Sequence, residues 1–386
     1  MEEEKESSVA FWRSIFAGSA FTLTAIGVVL IYSASCVRAA AGGGTDFAFL
    51  ARQLIWLGFG AAGLCVASRL DLTRWKGAVW PLFLLTLAML AAVRVPGVGT
   101  KVNGAYRWLR LGGFNMQPSE VAKMAMVVAM AAFLTRRPDK YLPFWRGLLP
   151  AGLLAALPVG LIMVEPDVGT SALIAAVALS MLVAGGAKIW QLLLAVAPAV
   201  PAAGLFVLAK GDYIRERVSA WQSGSTEGAG YQPWMSKIAL GSGGLTGMGL
   251  GAGPAKLYYL PEAHTDYIFA IAGQELGLCG TLGIMALFLA FVVAGLRLCR
   301  LTGDRFKTLV IYGVTATIGL QAAFNMAVVT ATIPPKGISL PFISFGGSGL
   351  CIALTAVGLV LGLTRPPKAA APAAAPVVIY AMRKSA

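Results

Sequence analysis

Residues 266–296 read DYIFAIAGQELGLCGTLGIMALFLAFVVAGL, and Asp266 and Glu275 are the only charged side chains in this stretch. A helix needs about 20 consecutive, mostly apolar residues to cross the hydrocarbon core of a bilayer. Hydrocarbon offers the backbone no hydrogen-bond partners, so a spanning segment must satisfy its own peptide groups as a helix. The stretch meets both conditions and predicts a transmembrane helix.

Nine further stretches have the same apolar character. They are residues 15–35, 53–68, 77–93, 118–135, 147–164, 168–185, 189–209, 308–330 and 349–364. Of all 386 residues, 58% are hydrophobic and only 12% are charged, and the mean hydropathy is +0.75. A soluble chain with an aqueous surface is more polar than this. We predict an all-α, polytopic membrane protein with about ten transmembrane helices, in which residues 1–365 form a single transmembrane domain.

The distribution of Lys and Arg predicts the orientation of these helices, because short loops rich in these residues stay in the cytoplasm. Such clusters fall in even-numbered turns: Arg69, Arg74 and Lys76; Arg136, Arg137, Lys140 and Arg146; and Arg297, Arg300, Arg305 and Lys307. We therefore expect a multi-pass protein of the cytoplasmic (inner) membrane with both termini in the cytoplasm. Residues 210–265 form a large extracytoplasmic loop, and residues 366–386 form a flexible cytoplasmic tail rich in Ala and Pro.

The formal net charge is +14, but the basic residues lie in loops between apolar runs rather than on one soluble face. This distribution argues against nucleic-acid binding. Several cations fall in segments expected outside the cytoplasm, where topology usually leaves few. They are Lys101, Arg107, Arg110, Lys210, Arg215, Arg217, Lys237, Lys256 and Lys336. They predict binding of an anionic ligand, with anchoring to lipid headgroups as the alternative.

Charged side chains also occur where two of the predicted helices start. Glu120 and Lys123 are three residues apart and share one helix face. Charges at membrane depth are costly, so this pair is a candidate for function, with an ion pair at the outer interface as the alternative. Glu165 and Asp167 open the sixth predicted helix, although helix capping alone would explain Asp167.

The most polar stretches lie in the long loop and before the last predicted helix. A glycine-rich run at residues 241–253 lacks the Lys-Ser/Thr of a phosphate-binding loop and could be only a flexible turn. It leads into LPEAHTDYIF at residues 260–269, which contains the only histidine, His264. We interpret His264 as an ordinary hydrogen-bonded residue, because one histidine cannot supply a multi-histidine metal site. Residues 334–349, PPKGISLPFISFGGSG, are too polar to span and could line a cavity as non-helical backbone.

Five motifs, in this order, resemble the SEDS family (shape, elongation, division and sporulation), whose members are integral membrane polymerases of peptidoglycan glycan strands. The motifs are NGAYRWL (103–109) running into QPSE (117–120) and Lys123; PD with GT (166–170); YQ (231–232) with the glycine-rich run; LPEAHTDYIF (260–269) with ELG (275–277); and KGISLPFISFGGS (336–348). The last two are the most specific. The sequence PEAHTD resembles that of the division branch of the family more than that of the elongation branch.

The resemblance implies an enzyme that polymerises lipid II, a disaccharide-pentapeptide on undecaprenyl pyrophosphate, with inversion and outside the cytoplasmic membrane. The branch implies septal wall synthesis in cell division. The catalytic general base it implies is Asp266, whose pKa we expect to lie above the reference of about 3.9 because its neighbours are apolar, although the helix dipole opposes this shift. The substrate-binding residues it implies are Arg107, Glu120, Lys123, Asp167, Arg215, Lys256, Lys336 and Ser344.

The resemblance also bears on cofactors and partners. It implies no certain cofactor, although a divalent cation could share the charge of the pyrophosphate. The implied partners are a class B penicillin-binding protein (an FtsI-type transpeptidase), divisome proteins and membrane lipids.

Other readings of the same residues remain open at this point. Without the resemblance, Asp266 could equally be a simple N-cap of the helix that follows it. A lipid II flippase or transporter would also place charges in an outward cavity, although the sequence shows no inverted repeat. An elongation-type polymerase and a non-catalytic membrane scaffold are further alternatives.

Overall fold

The computed structural model describes residues 2–41, 48–73, 76–102, 105–111, 114–136, 143–197, 219–224, 226–256 and 260–365. Its α-helices are α1 (Glu2–Ala41), α2 (Ala48–Arg69), α3 (Val79–Ala92), α4 (Pro118–Thr135), α5 (Leu149–Val164), α6 (Val168–Ala184), α7 (Ile189–Val196), α8 (Tyr231–Ser242), α9 (Ile268–Leu301), α10 (Arg305–Val329) and α11 (Gly347–Leu363). A π-helical turn, Phe144–Leu148, leads into α5.

The predicted class is confirmed, because the apolar stretches of the sequence form helices. Helices α1, α2, α4, α9, α10 and the continuous segment Phe144–Val164 are long and apolar enough to cross a membrane, and α3, α6 and α11 are shorter apolar helices. The predicted limits of α4 agree with the structure, whereas α1 begins at Glu2 rather than at residue 15. Glutamates in that first turn suit the positive end of a helix dipole.

Some predicted features lie outside the described residues. The predicted helix at residues 189–209 is described only as α7. The other features are residues 210–218 of the predicted loop at residues 210–265, the tail at residues 366–386, and the side chains of Arg74, Arg137, Lys140, Lys210, Arg215 and Arg217.

Helices α2 and α11 pack with their backbones in close contact at glycines. A Cβ atom at Gly358 would collide with the backbone of Leu64, and a Cβ atom at Gly63 would collide with the hydroxyl of Thr355. Lipid supplies no hydrophobic force between helices, so membrane helices associate through close packing of small residues. This contact holds α11, and the loop before it, against the second helix of the chain.

A three-stranded antiparallel sheet, which the sequence analysis did not predict, lies between α3 and α4. Its strands are β1 (Gly99–Val102), β2 (Ala105–Leu111) and β3 (Phe114–Met116), in the order β1-β2-β3. Only short strands fit into this polar break, and their alternation is too brief to stand out in the sequence. The sheet positions Arg107 on β2, and β3 leads directly into α4.

Helix α9 is broken at Gly277, whose φ of 69° and ψ of −166° are not helical. The glycine-rich run supplies partners for the backbone groups around the break. Met248 N donates to Gln274 O (3.0 Å) and Gly249 N donates to Glu275 O (3.1 Å), while Leu278 N donates to Gly244 O (2.9 Å). The run is therefore an ordered partner of a broken helix, which is how non-helical backbone is tolerated at membrane depth.

We predict that Gly277→Ala destabilises the protein by about 1–3 kcal/mol, because a positive φ strains any residue with a side chain. A Cβ atom there would also meet Leu245 O and Gly247 N. The thermal unfolding midpoint of the purified protein in detergent measures this effect. Gly283→Ala in the same helix is the control, because a Cβ atom at Gly283 has no neighbour within 4 Å. Equal midpoints for Gly277→Ala and the parent would contradict the role of the break.

Candidate active site

Asp266 lies in the turn that precedes α9. Glu262, with a φ of 56°, starts the turn, and Thr265 N donates to Glu262 O (3.1 Å). The Thr265 hydroxyl donates to the Glu262 carboxylate at 3.0 Å. The N-cap of α9 is Tyr267, and the helix has no side-chain capping hydrogen bond. The alternative reading of Asp266 as a simple N-cap is therefore wrong.

Three consecutive carbonyls of this turn accept hydrogen bonds from other parts of the chain. His264 O accepts from Phe345 N at 2.9 Å, and Thr265 O accepts from the Ser344 hydroxyl at 2.6 Å. Asp266 O accepts from Asn325 Nδ2 at 2.8 Å. The turn is thus fixed to α10 and to the segment between α10 and α11.

The segment between α10 and α11, residues 330–346, contains most of the polar, broken stretch predicted at residues 334–349, whose last three residues begin α11. It forms non-helical backbone with its own internal bonds, such as Leu340 N to the Ser344 hydroxyl at 2.7 Å. A Cβ atom at Gly337 would lie 3.1 Å from Asp266 Oδ2. The backbone next to Lys336 therefore lies close to the Asp266 carboxylate. Ser344, predicted to bind substrate, uses its hydroxyl to join the two segments.

Asp167 lies at the start of α6 on the same side of the molecule. It caps α6, because its carboxylate accepts from Thr170 N (3.1 Å) and from the Thr170 hydroxyl (2.8 Å). A Cβ atom at Gly169 would lie 2.9 Å from Ile338 and 3.5 Å from Lys336 Cβ. The first turn of α6 therefore packs against the Lys336 segment, and Asp167 lies close to it.

Arg107 reaches the turn between α5 and α6 from strand β2. Its Nε donates to Glu165 O at 3.1 Å and its Nη2 donates to Pro166 O at 2.7 Å. Arg94 donates to Val164 O at 3.1 Å. The two guanidinium groups stabilise carbonyls that the end of α5 leaves without helical partners.

The carboxyl groups at this site are harder to ionise than in water. Burial raises the pKa of Asp266 to about 7, with further contributions from Glu262 and Asp167, while Arg107 acts in the opposite direction. Burial and Asp167 raise the pKa of Glu165 to about 8. Within the described residues, neither carboxyl oxygen of Glu165 has a hydrogen-bond partner. The expected increase in the pKa of Asp266 agrees with this result.

Burial also lowers the pKa of the Lys336 ammonium group. We refer to Asp266, Glu262, Asp167, Arg107 and Lys336 as the Asp266 cluster. It places a carboxyl group with a raised pKa near the Arg107 guanidinium group and near the backbone beside Lys336. Across the described ranges, no group of three or more His, Cys, Asp or Glu side chains is arranged to hold a metal ion.

Glu120 and Lys123 form an ion pair at 2.9 Å in which Lys123 is 3% exposed. Lys123 also donates to Gln321 Oε1 at 2.6 Å. The pair lines a small cavity of about 20 Å³, together with Gln321, Ser344 and Gly349. It is therefore an internal pair beside the polar segment rather than a surface pair.

Lys256 lies in a different environment from the other predicted ligands. It pairs with Glu275 at 3.0 Å and donates to the Ser33 hydroxyl at 3.1 Å. Ser33 in turn donates to both carboxylate oxygens of Glu275, at 2.6 and 2.7 Å. All three side chains are buried or nearly so. This arrangement uses the charge of Lys256 to hold α9 beside α1.

His264 packs its ring against two phenylalanines, with centroids 5.1 Å from Phe49 and 5.7 Å from Phe345. Two further polar side chains of this region, Gln321 and Asn325, were not among the residues predicted from the sequence. Each is an amide in an otherwise apolar run, and a buried amide in a membrane helix is a recognisable signal of a polar contact.

Comparison with known proteins gives one consistent result. The profile of the cell cycle protein family FtsW/RodA/SpoVE matches residues 13–368. The chain is 41% identical to the probable peptidoglycan glycosyltransferase FtsW of Geobacter sp. (strain M18), over 91% of this chain and 96% of that protein. It is 36% identical to the probable peptidoglycan glycosyltransferase FtsW of Coxiella burnetii, over 88% and 92%.

Two solved structures have the same fold. One is a chain of a peptidoglycan synthase complex that coordinates polymerisation and crosslinking, with a TM-score of 0.77 and 26% identity, over 90% of this chain and 96% of that chain. The other is the rod shape determining protein RodA of Thermus thermophilus, with a TM-score of 0.66 and 26% identity, over 90% and 95%.

We predict that Lys256→Met destabilises the protein by roughly 3–5 kcal/mol, because it leaves the buried Glu275 carboxylate without its cation. The double variant Lys256→Met/Glu275→Leu should recover most of this loss. Unfolding midpoints in detergent measure both effects. If Lys256→Met unfolds like the parent but loses affinity for lipid II, Lys256 acts on the substrate and not on the fold.

Proposed function

Because this chain belongs to the FtsW/RodA/SpoVE family of cell cycle proteins, we infer that it is a peptidoglycan glycosyltransferase that polymerises lipid II into glycan strands. Its relatives from Geobacter and Coxiella carry the name of this enzyme. The observation that carries the chemistry is the Asp266 carboxyl, which is half-buried before a membrane helix with a pKa of about 7.

The site lies on the side of the membrane away from the cytoplasm. Helix α9 starts next to Asp266 and ends beside Arg297 and Arg300, and α11 starts next to the polar segment and ends before Arg365. Basic residues mark the cytoplasmic ends of membrane helices. The opposite ends, where the Asp266 cluster lies, then face the outer leaflet, where the lipid tail of lipid II stays in the bilayer while its sugars lie in water.

Four helices begin at this site, which suits an anionic leaving group. Gln117 N, just before α4, donates to the Ser348 hydroxyl in the first turn of α11 at 3.3 Å. The start of α6 packs on the Lys336 segment, and α9 begins two residues after Asp266. Helix N-termini present free N–H groups and positive dipole ends, which stabilise phosphates.

The reaction requires a base and a source of positive charge. Asp266 accepts the proton of the acceptor sugar hydroxyl as that oxygen attacks the anomeric carbon of the donor. The bond from that carbon to the lipid pyrophosphate breaks, and the configuration inverts. Arg107 and Lys336 stabilise the negative charge that develops on the pyrophosphate, and Arg215 is expected to contribute from outside the described residues. Asp167, Glu120, Lys123 and Ser344 hold the segments that form this site.

The comparisons favour a polymerase of the division type. The chain shares 41% identity with an FtsW protein, against 26% with RodA. A role in septal wall synthesis follows, and a flippase is not favoured, because these relatives are named glycosyltransferases. The matched chain from a peptidoglycan synthase complex supports a crosslinking partner of the class B penicillin-binding type. Divisome proteins complete the proposed set of partners.

We expect Asp266→Asn to fold and to lose glycan polymerisation by at least about 10²-fold, because the amide cannot accept the proton. Purified protein is given labelled lipid II, alone and with its class B penicillin-binding partner, and glycan chain length is read. Asp304→Asn is the matched control, because Asp304 caps α10 by accepting from Lys307 N. Undiminished polymer from Asp266→Asn would refute the base. Lipid II that crosses vesicles without polymer would indicate a flippase.

The pH dependence of polymerisation provides a second test. The base is active when ionised, and the pKa of Asp266 is about 7. The rate at low lipid II concentration should therefore rise as pH increases through about 7 and then level off. The acid limb is the rising part of this pH profile. If it lies near the ordinary aspartate pKa of about 3.9, the base is solvated, contrary to the structure.

A further inference from the structure

Two buried amide side chains, Gln321 and Asn325, lie one turn apart on α10. Residues four apart share a helix face. Gln321 is 6% exposed and Asn325 is fully buried. Both donate to backbone carbonyls of the polar segment: Gln321 Nε2 to Ser339 O at 2.9 Å and Asn325 Nδ2 to Ile338 O at 2.7 Å. The helix therefore holds two consecutive carbonyls of this segment.

Asn325 also donates to the backbone of the catalytic turn, because its second N–H bonds to Asp266 O at 2.8 Å. Both acceptors are carbonyls, so only the amide nitrogen can satisfy them. The other atom of the amide, Oδ1, is buried without a hydrogen-bond partner in the described part of the chain. An unpaired buried acceptor is costly. A side chain retained at this cost, and bonded to two separate segments, indicates a specific role for its two donors.

This bridge determines how closely the two segments approach. Ile338 O and Asp266 O share one amide nitrogen, and Gly337, the residue before Ile338, lies against the Asp266 carboxylate. Without the amide, two buried carbonyls would lose their partner and would need water in its place. Water entering here would reach the Asp266 carboxylate and would let it move relative to Lys336.

We propose that Asn325 is a positioning residue for glycosyl transfer, which holds the backbone of Asp266 against the Lys336 segment so that base and cation face one substrate. This inference rests on the proposed polymerase function. Asn325 acts through Asp266 and does not touch the reacting atoms. Gln321 holds the same segment, because its Nε2 donates to the neighbouring carbonyl, Ser339 O. Its Oε1 accepts from Lys123, which connects the segment to that lysine.

The electrostatic surroundings of Asp266 give a readout that a merely structural role would not change. The charged groups that face it are Glu262 from its own turn, Asp167 from the start of α6 and Arg107 from β2, while Lys336 lies beside Gly337. Burial is the largest cause of the raised pKa. Hydration of the loosened turn should lower that pKa, and the acid limb of the rate should move to lower pH.

The test compares the parent, Asn325→Ala and Asn325→Asp in steady-state polymerisation of labelled lipid II across pH. For Asn325→Ala we expect kcat to fall by about 10²-fold, which is the loss in rate that a small misplacement of reacting groups can cause. The KM for lipid II should stay within about twofold, and the acid limb should shift below the parent's. Asn325→Asp has one donor when protonated and none when ionised. Its residual activity should therefore fall as pH rises.

Asn115→Ala is the matched control, because Asn115 is an exposed asparagine on β3, and it should match the parent. Size-exclusion profiles and unfolding midpoints correct each rate for the folded fraction. The inference would be overturned if the rate of Asn325→Ala falls only in proportion to its folded fraction and its acid limb stays at the same pH as the parent's. If Asn325→Ala does not fold, the pH trend of Asn325→Asp decides, and parallel profiles with the parent would refute it. Absence of polymer from the parent itself would reject the proposed function together with this inference.

Discussion

The active-site architecture depends on one set of hydrogen bonds, the three that fix the carbonyls of His264, Thr265 and Asp266. Non-helical backbone near the membrane survives only if other parts of the protein satisfy its polar groups. Here Phe345 N, the Ser344 hydroxyl and the Asn325 amide do so. The bonds join two segments that lie far apart in the sequence, one bearing Asp266 and the other bearing Lys336. The backbone beside Lys336 therefore lies close to the Asp266 carboxylate as a consequence of satisfying the backbone.

The same requirement explains the glycine-rich run and the break in α9. Where α9 departs from helical geometry at Gly277, backbone groups around it bond to the run at residues 244–249. The buried Lys256, Glu275 and Ser33 then hold this part of α9 to α1. Helix α9, which begins just after the Asp266 turn, is thus fixed near that turn. This limits how far Asp266 can move relative to the rest of the site.

The membrane architecture could be predicted from the sequence, and so could the segments that the structure brings together around Asp266. Sequence reasoning identified the helices, the Glu120 and Lys123 pair, and the segments around Asp266 and Lys336. It missed the small sheet that positions Arg107, because strands of three to seven residues leave little periodicity. It grouped Lys256 with the substrate-binding cations, whereas the structure pairs its charge with Glu275. It also did not select Asn325, whose partners are backbone carbonyls that carry no side-chain signature.

The sequence by itself determined that the protein lies in a membrane, where its long apolar helices fall, and which chemical types gather at the polar breaks. These follow from local properties, since the apolar length of a run and the position of charges depend only on neighbouring residues. Only the tertiary structure decided which charges are paired, which carboxyl groups are buried enough to have a raised pKa, and which carbonyls each amide bonds. Those outcomes depend on distances between residues far apart in the chain, and the packing of α6, α9, α10 and α11 fixes them.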